Sequence, residues 1–217
     1  VSALDANNVW AVGLGGTILK YNGSSWSNQV SGISEWLLGV TTLSTTNVLT
    51  VGRNGTVLKY NGTSWNSENT SVTNQGLKAM SGLNSDNVWT VGASGTILKY
   101  NGSTWSSQTS GTSSSLYGIK AINANNVWAA GYNGTVVQYN GSSWTAKTLS
   151  AFQFTNFYAL DGFDSNNVWA AGQTGAIAKY NGSVWLSQTS GTSSDLSGIS
   201  ALDANNVWAR FRLRNKF

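Results

Sequence analysis

Tryptophans at a near-constant interval, and Asn-Gly turns between short apolar runs, predict an all-β fold. The expected form is a β-propeller of four-stranded antiparallel blades. The first tryptophan of the unit falls at Trp10, Trp89, Trp128, Trp169 and Trp208, with Leu49 in the one missing slot. These six positions are 39, 40, 39, 41 and 39 residues apart. A second series runs Trp26, Trp65, Trp105, Trp144 and Trp185. Self-similarity at this period means one supersecondary unit stacked on copies of itself. The 217 residues hold five full repeats of ~40 residues, approximately 1–36, 37–75, 76–115, 116–156 and 157–195, and a partial sixth, 196–217. We read them as a single domain.

The copy beginning at Leu116 shows each element. Leu116–Ile122 is a run of strand formers, strand a. Asn123–Asn126 is a turn in which Asn side chains bond back to the local backbone. Strand b is Val127–Ala130, closed by Gly131, and Asn133-Gly134 marks a tight hairpin that needs positive φ. Strand c is Thr135–Tyr139; Asn140-Gly141 makes the next hairpin, and Trp144 opens a more polar strand d. Strands b and c are apolar on both faces, so each sheet needs cover on both sides. Stacking like sheets around an axis supplies it and leaves only short edges. A solenoid of stacked hairpins is the structural alternative.

The copies constrain one another. Asn8, Asn47, Asn87, Asn126, Asn167 and Asn206 recur in the a–b turn. So do the glycine pairs of the b–c hairpin, Gly13/Gly16, Gly52/Gly55, Gly92/Gly95, Gly131/Gly134 and Gly172/Gly175. Asp5, Asp164 and Asp203 align with Ser44, Asn84 and Asn123, an interchange that side-chain-to-backbone bonding predicts at a turn. Trp89, Trp128 and Trp169 are expected between blades, and Trp26, Trp105 and Trp144, at the start of the outer strand, partly exposed.

Composition narrows the function. With 40% hydrophobic and 9% charged residues the chain is not of the disordered type. No run of ~20 apolar residues exists, so no membrane insertion is expected. The net charge of +4 is carried by Arg210, Arg212, Arg214 and Lys216, while the other eight cations balance eight acids. Nucleic acid, which needs a basic stripe on a folded surface, is therefore not an expected partner. Without His or Cys, histidine-based triads, thiol catalysis and the usual zinc sites are closed. No catalytic residue, metal ligand or cofactor is expected. A polar, Ser/Thr/Asn-rich, weakly charged surface leans toward an extracellular or cell-surface location.

The segments Gly-x-x-Gly-Thr-Ile-Leu-Lys-Tyr-Asn-Gly-Ser-Ser/Thr-Trp, at 13–26 and 92–105, resemble the repeats of the photosystem II assembly-factor type of propeller. They are also similar to the Asp-box repeat of bacterial neuraminidases, Ser-x-Asp-x-Gly-x-Thr-Trp. The hairpin here is one residue shorter, with Asn22, Asn61, Asn101, Asn140 and Asn181 near the Asp-box aspartate. The assembly-factor likeness implies a photosynthetic partner and a basic patch. The neuraminidase likeness implies an arginine cluster around a substrate carboxylate and a tyrosine nucleophile. Arg53 is the one arginine outside the tail, and Glu35 and Glu68 lie in linkers without a repeat-defined partner. The sequence is read as not an enzyme.

Binding remains. In a propeller the b–c hairpins and d–a linkers emerge on one face. After the first hairpin glycine the residue varies as Leu14, Arg53, Ala93, Tyr132 and Gln173. In the linkers Leu37, Leu77, Leu116, Phe157 and Leu196 stay apolar and read as core, while their neighbours vary as Leu38, Lys78, Tyr117, Tyr158 and Ser197. Trp36, Phe152 and Phe154 add aromatic surface. The candidate ligand-binding residues are Arg53, Tyr132, Gln173, Trp36, Tyr117 and Tyr158, set for a glycan or a protein surface in a lectin-like module. The alternatives are aromatics that plug the channel, and a purely structural propeller serving as spacer or filament unit. Eight Asn-x-Ser/Thr sequons occur, seven of them already explained as Asn-Gly turns. The partial sixth repeat offers self-association, since unpaired strand edges associate.

Overall fold

The computed structural model describes residues 1–68 and 72–211; the sequon at Asn69 and the tail cations Arg212, Arg214 and Lys216 lie outside the described residues. The chain forms two compact units, Val1–Thr109 and Ser110–Phe217. The first unit holds three four-stranded antiparallel sheets. These are β1 (Ser2–Asp5), β2 (Asn8–Val12), β3 (Ile18–Tyr21) and β4 (Trp26–Gln29); β5 (Leu37–Ser44), β6 (Asn47–Gly52), β7 (Val57–Tyr60) and β8 (Trp65–Ser67); and β9 (Leu77–Asn84), β10 (Asn87–Gly92), β11 (Ile97–Tyr100) and β12 (Trp105–Gln108). The second unit holds two more, and then a pair of strands. These are β13 (Leu116–Asn123), β14 (Asn126–Gly131), β15 (Thr135–Tyr139) and β16 (Trp144–Thr148); β17 (Phe157–Asp164), β18 (Asn167–Gly172), β19 (Ile177–Tyr180) and β20 (Trp185–Gln188); and β21 (Leu196–Ala201) with β22 (Val207–Phe211). Strand b runs one residue further at each end than the apolar pattern predicts.

Turn chemistry sets this order. The b–c turn places two successive residues at positive φ, Asn133 at 51° and Gly134 at 67°, and Thr135 N–H closes it on the Tyr132 carbonyl. That is the mirror-image turn whose twist matches the flanking strands. The first of the two positions is Gly15, Asn54, Ser94, Asn133 and Thr174 in successive copies. The a–b turns are closed by side chains: Asp5 Oδ1 accepts from Asn7 N–H at 2.7 Å, Asp164 Oδ1 from Asn166 N–H at 2.8 Å, and Asn123 Oδ1 from Asn125 N–H at 2.9 Å. In the c–d turn Asn22 Oδ1 accepts from Ser24 and Ser25 N–H, and Tyr21 Oη donates to the Gly23 carbonyl at 2.8 Å. The other four copies repeat the tyrosine bond.

Within each unit, neighbouring sheets are locked by an aromatic device. Trp10 of the first sheet sits 4.9 Å from Tyr60 and 5.3 Å from Trp65 of the second, edge-on to the latter at 82°. Trp128 repeats this with Tyr180 at 4.7 Å and Trp185 at 5.5 Å, edge-on at 78°. Edge-to-face packing suits the ring quadrupoles. The indole nitrogens of Trp10 and Trp128 find no oxygen partner, and an aromatic face is the weak acceptor such geometry offers instead. Leu49 fills the same slot in the cluster with Tyr100 and Trp105. Lysines of the third strand lie over the indoles: Lys20 Nζ is 5.2 Å from the Trp10 ring, Lys99 5.1 Å from Trp89 and Lys179 4.8 Å from Trp169.

Trp89, Trp128 and Trp169 are buried, as expected. The expectation for the second series is corrected. Trp26 is 50% exposed, but Trp105 and Trp144 are 6% and 7% exposed, as is Trp65 at 8%. For Trp65 the cause is the neighbouring sheet, whose Trp10 covers a ring that its own strand would leave bare. Leu37, Leu77, Leu116, Phe157 and Leu196 are core. The pair β21–β22 packs along β17, with Ala201 N–H donating to Asp161 Oδ2 at 3.0 Å, and so begins a sixth sheet beside the fifth.

Candidate functional site

One backbone bond recurs in four of the five full copies, the second to the fifth. The residue after the first hairpin glycine donates its N–H to the carbonyl of the linker residue just before strand a. Arg53 donates to Trp36 at 3.0 Å, Ala93 to Gly76 at 2.9 Å, Tyr132 to Ser115 at 2.9 Å and Gln173 to Asn156 at 2.9 Å. The glycine is required by close approach: a Cβ on Gly131 or Gly172 would lie 2.0 Å from the Ser115 or Asn156 carbonyl oxygen. The invariant turn thus presents a variable side chain beside a variable linker.

In the first unit this brings Arg53 onto Trp36, with the guanidinium carbon 3.5 Å from the ring centroid. Arg53 and Trp36 are both exposed, so the stacked plane is available to a ligand. Flat stacking of guanidinium on indole is favourable and pre-organises the arginine.

In the second unit it brings together Tyr117, Tyr132 and Tyr158. The rings of Tyr117 and Tyr158 are 6.0 Å apart at 51°. Burial first, and then neighbouring Tyr158 and Tyr132, push the Tyr117 phenol above its ordinary value. Its hydroxyl therefore stays protonated at neutral pH, as a hydrogen-bonding group and not an activated oxyanion. Tyr132 is exposed and Tyr158 half-buried. Gln173 lies in the same set of bonds: its Oε1 accepts from Asn156 N–H at 3.4 Å, and Asn156 Oδ1 accepts from Asn133 N–H at 3.1 Å. Three aromatic faces with amides at their rim can take the C–H surface and the hydroxyls of one ligand. Of the two linker phenylalanines, Phe152 is core, 5.1 Å from Phe157, and Phe154 is exposed.

The sequence reading passed over one feature, an ion pair of 2.7 Å between Lys120 Nζ and Asp161 Oδ1. The two residues hold the same place in strand a of successive sheets, where the other copies carry Ser2, Thr41, Ser81 and Ser200. Comparing copies at that position would have found the pair. Among the described residues no cluster of acidic groups could hold a metal ion.

Solved structures share this architecture. YCF48 from Cyanidioschyzon merolae, a photosystem II assembly factor, is similar with a TM-score of 0.71 at 16% identity, over 97% of this chain and 77% of that one. The fold is a β-propeller. A second structure, YCF48 bound to D1 peptide, is similar with a TM-score of 0.52 at 14% identity, over 96% of this propeller and 86% of that chain. The WD40 repeats of RRP9 (TM-score 0.73, 11% identity, 89% and 66% covered) are similar too. So is a catalytically inactive virginiamycin B lyase from Staphylococcus aureus with quinupristin (TM-score 0.71, 10% identity, 96% and 78% covered). No family model matches the propeller's sequence, and no curated protein is significantly similar to it.

Proposed function

We propose that this propeller is a non-enzymatic recognition module that binds carbohydrate in a lectin-like manner, outside the cell or at its surface. The observation that carries the reading is the convergence of Tyr117, Tyr132 and Tyr158 at positions where the copies differ, on turns that are otherwise uniform. Ring faces take the apolar C–H surface of a sugar, and the tyrosine hydroxyls and the Gln173 amide take its hydroxyls. Arg53 on Trp36 is a second point of the same kind, with charge for an acidic group. The location rests on the weakly charged, Ser/Thr/Asn-rich composition.

A second reading, recognition of a polypeptide, is supported by the structure of YCF48 bound to D1 peptide. Tyrosine and arginine are also the residue types that anchor protein interfaces. Parallel glycan and peptide arrays separate the two. The first reading expects glycan binding that is lost in the Tyr132→Ala/Tyr158→Ala double variant, with a melting temperature changed by no more than a few degrees. Peptide binding alone would favour the second reading. Silence on both arrays would leave a structural propeller.

A further inference from the structure

Four of the five full copies carry a lysine at one place in the third strand, Lys20, Lys59, Lys99 and Lys179, where the fourth copy carries Gln138. Each stands across the sheet from the first-series residue of its blade, as Lys20 does from Trp10 and Gln138 from Trp128. The lysines supply an ammonium to the rings between blades. Lys20 Nζ lies 5.2 Å from the Trp10 ring and 5.5 Å from the Tyr60 ring of the next blade. Lys59 Nζ lies 5.3 Å from the Tyr100 ring and donates to Tyr100 Oη at 3.1 Å. Between the fourth and fifth blades the rings are of the same kind, Trp128, Tyr180 and Trp185, but the place of the ammonium falls to a neutral amide. A cavity of about 160 Å³ lies there, lined by Trp128, Tyr180, Trp185, Gln138 and Lys147 among others. Exposure follows the exchange: Tyr60, Trp65, Tyr100 and Trp105 are buried, whereas Tyr180 and Trp185 are half-buried. Lys147 is an exchange too. It is exposed, and its place in the fourth strand is taken by Gln29, Gln108 and Gln188 in other copies.

We propose that this cavity binds the alkylammonium group of a phosphocholine-type zwitterion, with the cation against Trp128, Tyr180 and Trp185 and the anionic group on Lys147. The occupant follows from the sister copies, where equivalent rings hold an ammonium that the chain itself supplies. Aromatic faces attract a cation through the ring quadrupole, tryptophan best of all, and more strongly where water is excluded. A bare cation would be repelled by Lys147, whereas an anion a few atoms away makes that ammonium a partner. None of these residues belongs to the tyrosine cluster, and the proposal does not rest on the carbohydrate reading.

Calorimetric titration of the full 217-residue protein with phosphocholine, choline and glycerol phosphate tests it. The expected result is saturable binding of phosphocholine, weaker binding of choline, and none of glycerol phosphate, which lacks the cation. Gln138→Lys installs the repeat's own ammonium in the cavity and should weaken phosphocholine binding at least about 10-fold, the loss expected when a desolvated cation–π contact is taken away, with thermal unfolding not lowered. Lys147→Ala should move the two cationic probes in opposite directions, weakening phosphocholine and strengthening choline. Should Gln138→Lys disturb the blade, that split at an exposed residue still decides. Phosphatidylcholine vesicles separate the sources: co-sedimentation lost in Gln138→Lys supports a lipid headgroup, and binding of the soluble probe alone supports a free zwitterion. No saturable phosphocholine binding, wild-type affinity in Gln138→Lys, or an equal response of both probes to Lys147→Ala would each overturn the proposal.

Discussion

Thr174 shows what the repeated turn demands of one residue. It sits at φ 53°, where Asn54 and Asn133 stand in other copies, although a β-branched side chain disfavours that region. Its hydroxyl bonds back to the Gln173 carbonyl at 2.8 Å and its N–H to Asp195 Oδ1 at 3.0 Å, which hold it there. Thr174→Asn should raise stability by about 0.5–1 kcal/mol, read as an increase in denaturation midpoint with unchanged slope. Asp5 and Asp203 give a pH signature. Hydrogen bonds from the side chains of Asn8 and Asn206 are the main cause that lowers each carboxyl below its ordinary value. A lowered folded-state value contributes stability above the ordinary aspartate range, and that contribution is lost as pH falls through the lowered value. With no histidine in the chain, thermal unfolding should vary little between about pH 5 and 8 and decline below about pH 4. Asp5→Asn with Asp203→Asn, which install the residue type found at Asn84 and Asn123, should flatten that decline.

Among the strands and sheets, the lock concentrates stability in few side chains. Trp128 is buried against two rings of the next blade, so Trp128→Ala should cost about 3–5 kcal/mol in chemical unfolding. Trp26→Ala, with half its surface already in water, should cost less than about 1 kcal/mol. The strands and their hairpins were legible because short apolar runs and Asn-Gly turns are local signals, as β15 running from Thr135 to Tyr139 shows. Burial of Trp105 was not legible, since a strand's own pattern says nothing of a side chain such as Leu49 brought by the adjoining sheet. The meeting of Tyr132 with Tyr117 and of Arg53 with Trp36 was half legible. Variation between copies marked the positions, but the glycine-enforced bond from turn to linker that joins them is visible only in coordinates. Lys120 and Asp161 stayed hidden because each alone reads as an ordinary solvated charge.

For the whole molecule, charge placement matters more than net charge. Lys20, Lys59, Lys99 and Lys179 lie over aromatic rings, and Lys120 is paired with Asp161. With these cations engaged by rings or a carboxylate, a labelled oligonucleotide should show no binding tighter than about 10 µM at physiological salt by fluorescence anisotropy. The distribution of indoles has a further use. Of the eleven tryptophans, Trp26, Trp36 and Trp208 are the exposed ones, and Trp36 stands under Arg53 in the proposed binding site. A neutral quencher in solution reaches these emitters first and leaves the interior ones bright. Under the proposed function, shielding that follows added ligand would report on Trp36. The chain thus carries its own optical label for that event, and no dye is needed.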